Sequence, residues 1–337
     1  MAARFFLPRR VLRDLFRFPI TMQTFHQLEE IPANFGPTIV SVGNFDGVHR
    51  AHAQVLATVV GRARQLGGKS IAVSFEPHPI RILRPDAGFK LLTPTAEKVR
   101  LLAATELDAV LLLPFTRDLS LVTPQRFAQD ILKEALQARE VHEGYNFHFG
   151  HKAAGDVHLL TELGRKMGFA VYVYPEMRLR GEPVSSSHIR KLIQEGRVSR
   201  ARHLLARPFS MLSTAGRGRG YGARYTVPTI NLSRYEELVP QDGVYITNTR
   251  VGEECFQSVT NVGNRPTFGV ESFAIETHLL NFHPIRLEPE TEVEIHFFER
   301  LRDEIKFPSV EALRQQIARD VKKARRYFHL LKLRNRG

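Results

Sequence analysis

The sequence predicts two architectures in one chain: a doubly wound parallel α/β sheet, then a small antiparallel β-barrel with a C-terminal helix. Three observations predict this. Between residues 37 and 195 short apolar runs alternate with helical periods, the pattern of βαβ units around a parallel sheet. Near residue 205 the helical periods fade, Gly, Thr and Val rise, and strand-like runs follow one another without helices between them, which suggests an antiparallel sheet or barrel. A long amphipathic period then occupies residues 309–328. A length of 337 residues accommodates two domains. The expected division is residues 1–21 as an N-terminal extension with Met22 as an alternative start, 22–203 as the first domain and 204–337 as the second.

Each element follows from local pattern. PTIVSVG (residues 37–43) is a buried strand, and residues 52–66 follow with helical spacing. SIAVSF (70–75) is a strand, and residues 93–106 form a helix that Thr93 or Thr95 would cap. DAVLLLPF (108–115) is a continuous apolar strand, and residues 123–136 form a helix with Pro124 in its first turn. Residues 139–144 and 170–175 are strands, and helices fit at 156–167 and 186–195. In the second half the strands are 243–251, 256–263, 272–280 and 292–299, and Ser309 caps the closing helix.

The composition bounds the function. A formal charge of +13 attracts polyanions: nucleic acid, acidic membrane or phosphorylated small molecules. Basic residues cluster at the start (Arg4, Arg9, Arg10, Arg13, Arg17) and at the end (Lys322, Lys323, Arg325, Arg326, Lys332, Arg334, Arg336), where solvated faces and tails are the plainer explanation. No zinc-finger spacing, RNP-type aromatic strand or tryptophan supports a nucleic-acid binder, so no nucleic-acid partner is expected. The single cysteine, Cys255, forms no internal disulfide and fits a reducing, cytoplasmic location. No apolar run reaches the length of a membrane span, so no membrane partner is expected. The oligomeric state is not legible.

Two glycine-containing constellations carry chemistry. GNFDGVHRAH (Gly43 to His52) follows the first strand and opens a helix, where ligands of open α/β sheets bind and free N–H groups meet phosphate. His49 and His52 sit three apart on the first helical turn, placed to donate to a polyphosphate. Zinc ligation lacks a third ligand at suitable spacing, and a plain turn capped by Asp46 is the structural alternative. ARQLGGKS (Ala63 to Ser70) nearly matches a P-loop but runs from helix to strand, so Gly67 and Gly68 are read as a helix stop. AGRGRGYGARYTVPTINL (Ala215 to Leu232) carries glycines at 216, 218, 220 and 222, which let phosphate approach backbone N–H groups, or which form a glycine-rich linker. Thr229 and Asn231 are two apart, point the same way from an extended segment, and offer oxygen to a hard cation such as Mg²⁺.

The first constellation resembles the HxGH-type signature of the prokaryotic bifunctional riboflavin kinase/FMN adenylyltransferase (FAD synthetase) family, usually GxFDGVHxGH. SFEPHP (74–79), LLTPTAEKVRLL (91–102), GYNFHFGHKAAGD (144–156) and VSSSHIR (184–190) follow in that family's order, resembling its TFEPHP, its threonine-to-EK helix, its flavin and nucleotide loop and its SSTRIR helix start. PTINL (228–232) resembles the PTAN signature of riboflavin kinases, followed by GVY, NVGNRPTFG, IETHLLNF and RLRDEIKF. The resemblance implies a nucleotidyltransferase-like first domain and a flavin kinase second domain. It implies ATP-dependent phosphorylation of riboflavin to FMN, then adenylylation of FMN to FAD, with Mg²⁺, ATP and flavins as cofactor, co-substrate and substrates. It places His49 and His52 on ATP phosphates, Gly43, Asn44, Phe45, Asp46, Ser185, Ser186, Ser187 and Arg190 at ATP in the first domain, and Gly218, Gly220 and Gly222 at ATP in the second. Asn146 and Arg302 would contact flavin, Thr229 and Asn231 would hold metal, and Glu276 would accept the proton of the ribityl 5′-hydroxyl. Two departures, Ala51 for the glycine of HxGH and His188 for an arginine, are expected to weaken adenylylation. A monofunctional riboflavin kinase, a flavin-binding sensor without catalysis and a nucleic-acid-binding protein are the alternatives.

Overall fold

The computed structural model describes residues 22–216, 229–232, 235–264, 273–283 and 291–334. Residues 1–21 and the expected nucleotide glycines Gly218, Gly220 and Gly222 lie outside them. The chain forms two compact units, Met1–Ser186 and Ser187–Gly337.

The first unit is a doubly wound sheet of six parallel strands. In chain order its elements are β1 (Gln23–Phe25), β2 (Thr38–Val42), α1 (Arg50–Leu66), β3 (Lys69–Glu76), α2 (Pro79–Leu83), α3 (Thr95–Ala103) and β4 (Ala109–Pro114). There follow α4 (Pro124–Arg126), which continues as a π-helical stretch Phe127–Ala135, then β5 (Ala138–Gly144), α5 (Val157–Met167), β6 (Ala170–Tyr174) and the small hairpin β7 (Arg178–Leu179) and β8 (Glu182–Pro183). The sheet order is β1-β4-β3-β2-β5-β6. The chain therefore steps outward from β2 through β3 to β4, then returns to the other side of β2 with β5, and this reversal is the topological switch point.

Strand residues alternate between two apolar layers. Val40, Val42, Ile71, Val73, Leu111 and Val141 pack against Phe127, Ile131 and Leu132 of the π stretch and Leu160 and Leu163 of α5. Ile39, Ala72, Val110 and Leu112 face Leu56, Val59 and Val60 of α1 and Leu101 and Leu102 of α3. Burial on both faces explains the continuous apolar strands. Gly67 ends α1 in left-handed conformation (φ 64°), and β3 starts at Lys69, so the near-P-loop segment is a helix stop, as its order suggests. The expected threonine cap of the 93–106 helix is not formed. Pro94 precedes α3, Thr95 Oγ1 donates to Glu76 at 2.5 Å, and the Thr93 N–H goes to Asp46 at 3.1 Å.

Among the described residues the second unit holds α6 (Ser186–Gln194) from its second residue on, α7 (Val198–Leu205) and six strands: β9 (Phe209–Gly216), β10 (Thr229–Leu232), β11 (Gly243–Val251), β12 (Glu254–Asn264), β13 (Phe273–Leu279) and β14 (Glu292–Arg302). These close an antiparallel barrel in the order β10-β13-β12-β11-β14-β9. The closing helix α8 (Val310–Arg334) starts where Ser309 Oγ accepts the Ala312 N–H at 3.1 Å, the predicted cap. Ala324 and Phe328 of α8 are buried on the outer barrel face with Val244, Ile246 and Val259. Inside the barrel, Thr247, Thr249, Ser258, Thr260 and Thr277 are fully buried and hydrogen-bond one another at 2.7–3.0 Å, so the hydroxyls satisfy each other in place of water.

Candidate active sites

In the first unit the chemistry gathers at the carboxyl end of β2. The paired register of β2 with β5 ends at Val40↔Val141. Past that point Val42 N–H donates to Glu143 Oε1 at 2.6 Å, and Gly43 N–H donates to Val73 O at 2.9 Å. Glu143 is buried, and burial pushes its carboxyl well above the ordinary carboxylate range against the pull of the Val42 N–H. The Glu143 carboxyl thus ties the end of β2 to β5 at the switch point.

The loop after β2 is wound tightly. Phe45, Gly47 and Val48 all have positive φ (45°, 84° and 35°), and a β-branched residue there is strained. Asp46 holds the loop down: its carboxylate accepts the N–H groups of Leu92 and Thr93 at 3.1 Å each, and its carbonyl accepts Ser186 Oγ at 2.7 Å. Asn44 Oδ1 is buried and has no hydrogen-bond partner among the described residues. His49 caps α1, its Nδ1 accepting the His52 N–H at 3.4 Å. That acceptor role leaves the proton of the neutral imidazole on Nε2, as a donor. The His49 and His52 rings stack 3.6 Å apart, and Phe45 meets His52 edge-on. Ala51 has ordinary helical φ inside the first turn of α1, so its methyl group strains no backbone.

The other predicted residues of this half are placed as follows. Asn146 is exposed on the loop after β5, beside β2 in the sheet, and its carbonyl accepts His148 Nδ1 at 3.0 Å. Ser185 precedes α6, while Ser186, Ser187, His188 and Arg190 lie on its first turns. Three features went unread in the sequence. Lys98, inside the quoted EK segment, is buried under the loop. Glu143 has no sequence signal beyond a charge within an apolar strand. A cavity of about 370 Å³ is lined by Ile80, Leu83, Arg84, Ala87 and Phe89, and His78 stacks on Phe89 with ring centres 4.4 Å apart.

In the second unit the site is set by strand register. Asn231 of β10 lies opposite Glu276 of β13, and Thr229 lies opposite His278. On the other side of β13, Asn261 of β12 pairs with Glu276. Period-2 alternation puts Thr229, Asn231, Glu276 and His278 on one face while Ile230, Ile275, Thr277 and Leu279 are buried. Two neutral oxygen-bearing side chains beside a carboxylate form a hard-donor set that fits Mg²⁺. Asn261 Nδ2 donates to Glu304 Oε1 at 3.0 Å, which extends the polar strip. Arg302 turns to α8: Nε donates to the buried Asp320 at 3.0 Å and the guanidinium lies 5.7 Å from the Phe307 ring centre.

Comparison with known proteins matches each half separately. Residues 31–188 match the FAD synthetase family model and residues 205–328 the riboflavin kinase model. A Pseudomonas fluorescens protein described as bifunctional riboflavin kinase/FMN adenylyltransferase is 32% identical, over 90% of this chain and 97% of its own length. The chain belongs to this bifunctional family. Family members of the same description from Escherichia coli K12 (30% identity, 91% of this chain, 97% of that one) and Buchnera aphidicola of Schizaphis graminum (29%, 91% and 98%) agree. The two family matches together span residues 31–328. A solved structure described as a macrolide-efflux protein from Streptococcus pneumoniae covers 90% of this chain and 99% of its own, with TM-score 0.81 at 24% identity, a likeness of fold. Among the described residues no helix is long and apolar enough to cross a membrane.

Proposed function

We propose that the chain phosphorylates riboflavin to FMN and adenylylates FMN to FAD, with residues 22–203 carrying the second reaction and 204–337 the first. The observation that carries this reading is that each half matches its own enzyme family.

In the kinase half, Glu276 accepts the proton of the ribityl 5′-hydroxyl as that oxygen attacks the γ-phosphorus of ATP and the bond to the β-bridging oxygen breaks, releasing ADP. Thr229 and Asn231 of β10, which pair with His278 and Glu276 of β13, would hold Mg²⁺, which offsets phosphate charge when bound. The Asn231↔Glu276 register keeps base and metal donors on one rigid face. Gly218, Gly220 and Gly222 are assigned to the phosphates by their place in the sequence.

In the adenylylating half, an FMN phosphate oxygen attacks the α-phosphorus of ATP and pyrophosphate leaves. No protein nucleophile is needed; the work is holding and charge stabilisation. The N-terminus of α1, the His49 Nε2–H and His52 are the donors for the polyphosphate, with Gly43 to Asp46 as its cradle and Ser185 to Ser187 and Arg190 as further phosphate groups. Asn146 lies at the carboxyl end of β5, on the flavin side. The apolar cavity at Ile80, Leu83 and Phe89, with Arg84 on its wall, suits a flat ring carrying a phosphate arm.

The test is product chromatography after incubating the purified protein with riboflavin and Mg-ATP. FMN followed by FAD is expected. FMN alone selects the monofunctional kinase, and neither product from folded protein overturns the assignment.

A further inference from the structure

Lys98 is 5% exposed on α3, where its neighbour Glu97 is also buried and pairs with Arg100 at 3.2 Å, whereas a lysine is almost never buried without a partner of its own. Its ammonium donates to Ser74 Oγ at 3.0 Å and lies 3.8 Å from Glu76 Oε2. Ser74 Oγ in turn donates to the carbonyl of Asn44 at 3.2 Å. The donors run in one direction, Lys98 to Ser74 to Asn44, so each bond polarises the next. Burial pulls the Lys98 ammonium below its ordinary value, while Glu76 and Asp46 pull it back up. Removing an ammonium from water in this way is a net cost unless something else is gained, and an apolar side chain of similar length would fill the space.

The end of the relay shows what is gained. Asn44 stands in the phosphate-facing loop between Gly43 and the strained Phe45, and its side-chain Oδ1 is buried without a hydrogen-bond partner among the described residues. Asp46 fastens the far side of this loop to Leu92 and Thr93. Lys98 and Ser74 fasten the near side by its Asn44 carbonyl. We propose that Lys98 is a positioning residue for adenylyl transfer: through Ser74 it fixes the Asn44 peptide and thereby the attitude of the Gly43–His49 loop toward the triphosphate. This rests on the reading of the first unit as the adenylylating one.

The experiment is a double-mutant cycle in the full-length protein with Lys98→Met and Ser74→Ala. FAD formation from supplied FMN and Mg-ATP is measured with kcat and KM separated, FMN formation from riboflavin is followed in the same preparations, and thermal melting is recorded. Lys98→Met is expected to lower kcat for adenylylation about 10- to 100-fold, with KM for FMN, FMN formation and melting temperature unchanged or the last raised. Ser74→Ala is expected to produce a loss of the same size, and the double variant to be no worse than either single one. Kcat within twofold of the parent in both single variants overturns the proposal. So do losses that multiply in the double variant, or losses shared equally by both activities. If Lys98→Met does not fold, Ser74→Ala alone decides, since loss of one hydroxyl is expected to cut only the FAD reaction. A parent protein that forms no FAD refutes the functional reading itself, which the variants do not test.

Discussion

Asn231 and Glu276 come from distant parts of the sequence and meet through one rung of an antiparallel ladder. A carboxylate so placed is held on a paired strand, and its removal is expected to separate the two reactions. Glu276→Ala is expected to lower FMN formation by at least about 100-fold and to spare adenylylation of supplied FMN. His49→Ala is expected to do the reverse, by about 100-fold, when both products are quantified by chromatography; loss of both activities from either folded variant would refute the division of labour. Phe89→Ala, which opens the apolar cavity, is expected to raise KM for FMN about tenfold in the FAD reaction, and an unchanged KM would place the flavin elsewhere. A residue-level pH effect belongs to His142. It is buried, stacks on the Tyr172 ring with centres 4.8 Å apart, and has Nε2 at 3.1 Å from Glu140 and Nδ1 at 2.8 Å from the Tyr174 hydroxyl. Burial lowers its pKa, against the pull of Glu140, whose own pKa is lowered first by its hydrogen bond to Arg62. The folded state thus prefers neutral His142, while the unfolded histidine titrates near 6.5. Its contribution is complete above that value and declines as pH falls; the Glu140 contribution declines in the same direction at lower pH. Melting temperature should fall on acidification, and His142→Phe should flatten the part of that slope below about pH 6.5; an identical slope would count against it.

At the scale of elements, α8 illustrates how a helix is held by one stripe. Ala324 and Phe328 are buried against Val244, Ile246 and Val259, the Arg302–Asp320 pair ties the helix to β14, and Arg202 of α7 donates to Tyr327 at 2.9 Å. Phe328→Ala removes a ring from this stripe and is expected to destabilise the barrel unit by about 3–5 kcal/mol, read by denaturant unfolding; a loss under about 1 kcal/mol would mean that α8 is dispensable. Arg302 belongs to this clamp in the structure, where its place in RLRDEIKF suggested a cover for the flavin or the phosphates. The stretch after Pro124 shows a second limit of pattern reading. Its apolar spacing predicts an ordinary helix, yet Leu136 N–H reaches back five residues to Ile131 O in a wider turn. Local propensity does not distinguish the two windings; the fit of Phe127, Ile131 and Leu132 to the sheet does.

For the molecule as a whole the excess of 13 positive charges should act on anionic substrates before any contact forms. Raising ionic strength from about 0.05 to 0.5 M shortens the Debye length severalfold. KM for ATP is therefore expected to rise severalfold in both reactions, while KM for uncharged riboflavin stays constant; a parallel rise in both would point to a general salt effect.

The sequence by itself determined the architecture, because buried strands, helix caps and a change of period are local signals. It determined the strand limits of β2 to β6 to within two residues and the Ser309 cap, and it identified the two glycine-bearing constellations. The short β1, the helix α7 and the barrel strands β9 and β10 were not legible as elements: each is too brief or too mixed for periodicity to declare. Tertiary structure alone decided which distant residues meet. Register set Asn231 opposite Glu276, the reversal of strand order put Glu143 under Val42, and helix packing drove Lys98 beneath the Asn44 loop. Those placements depend on three-dimensional neighbours that a linear pattern does not encode, and for that reason the residue types of the sites could be read early and their partners could not.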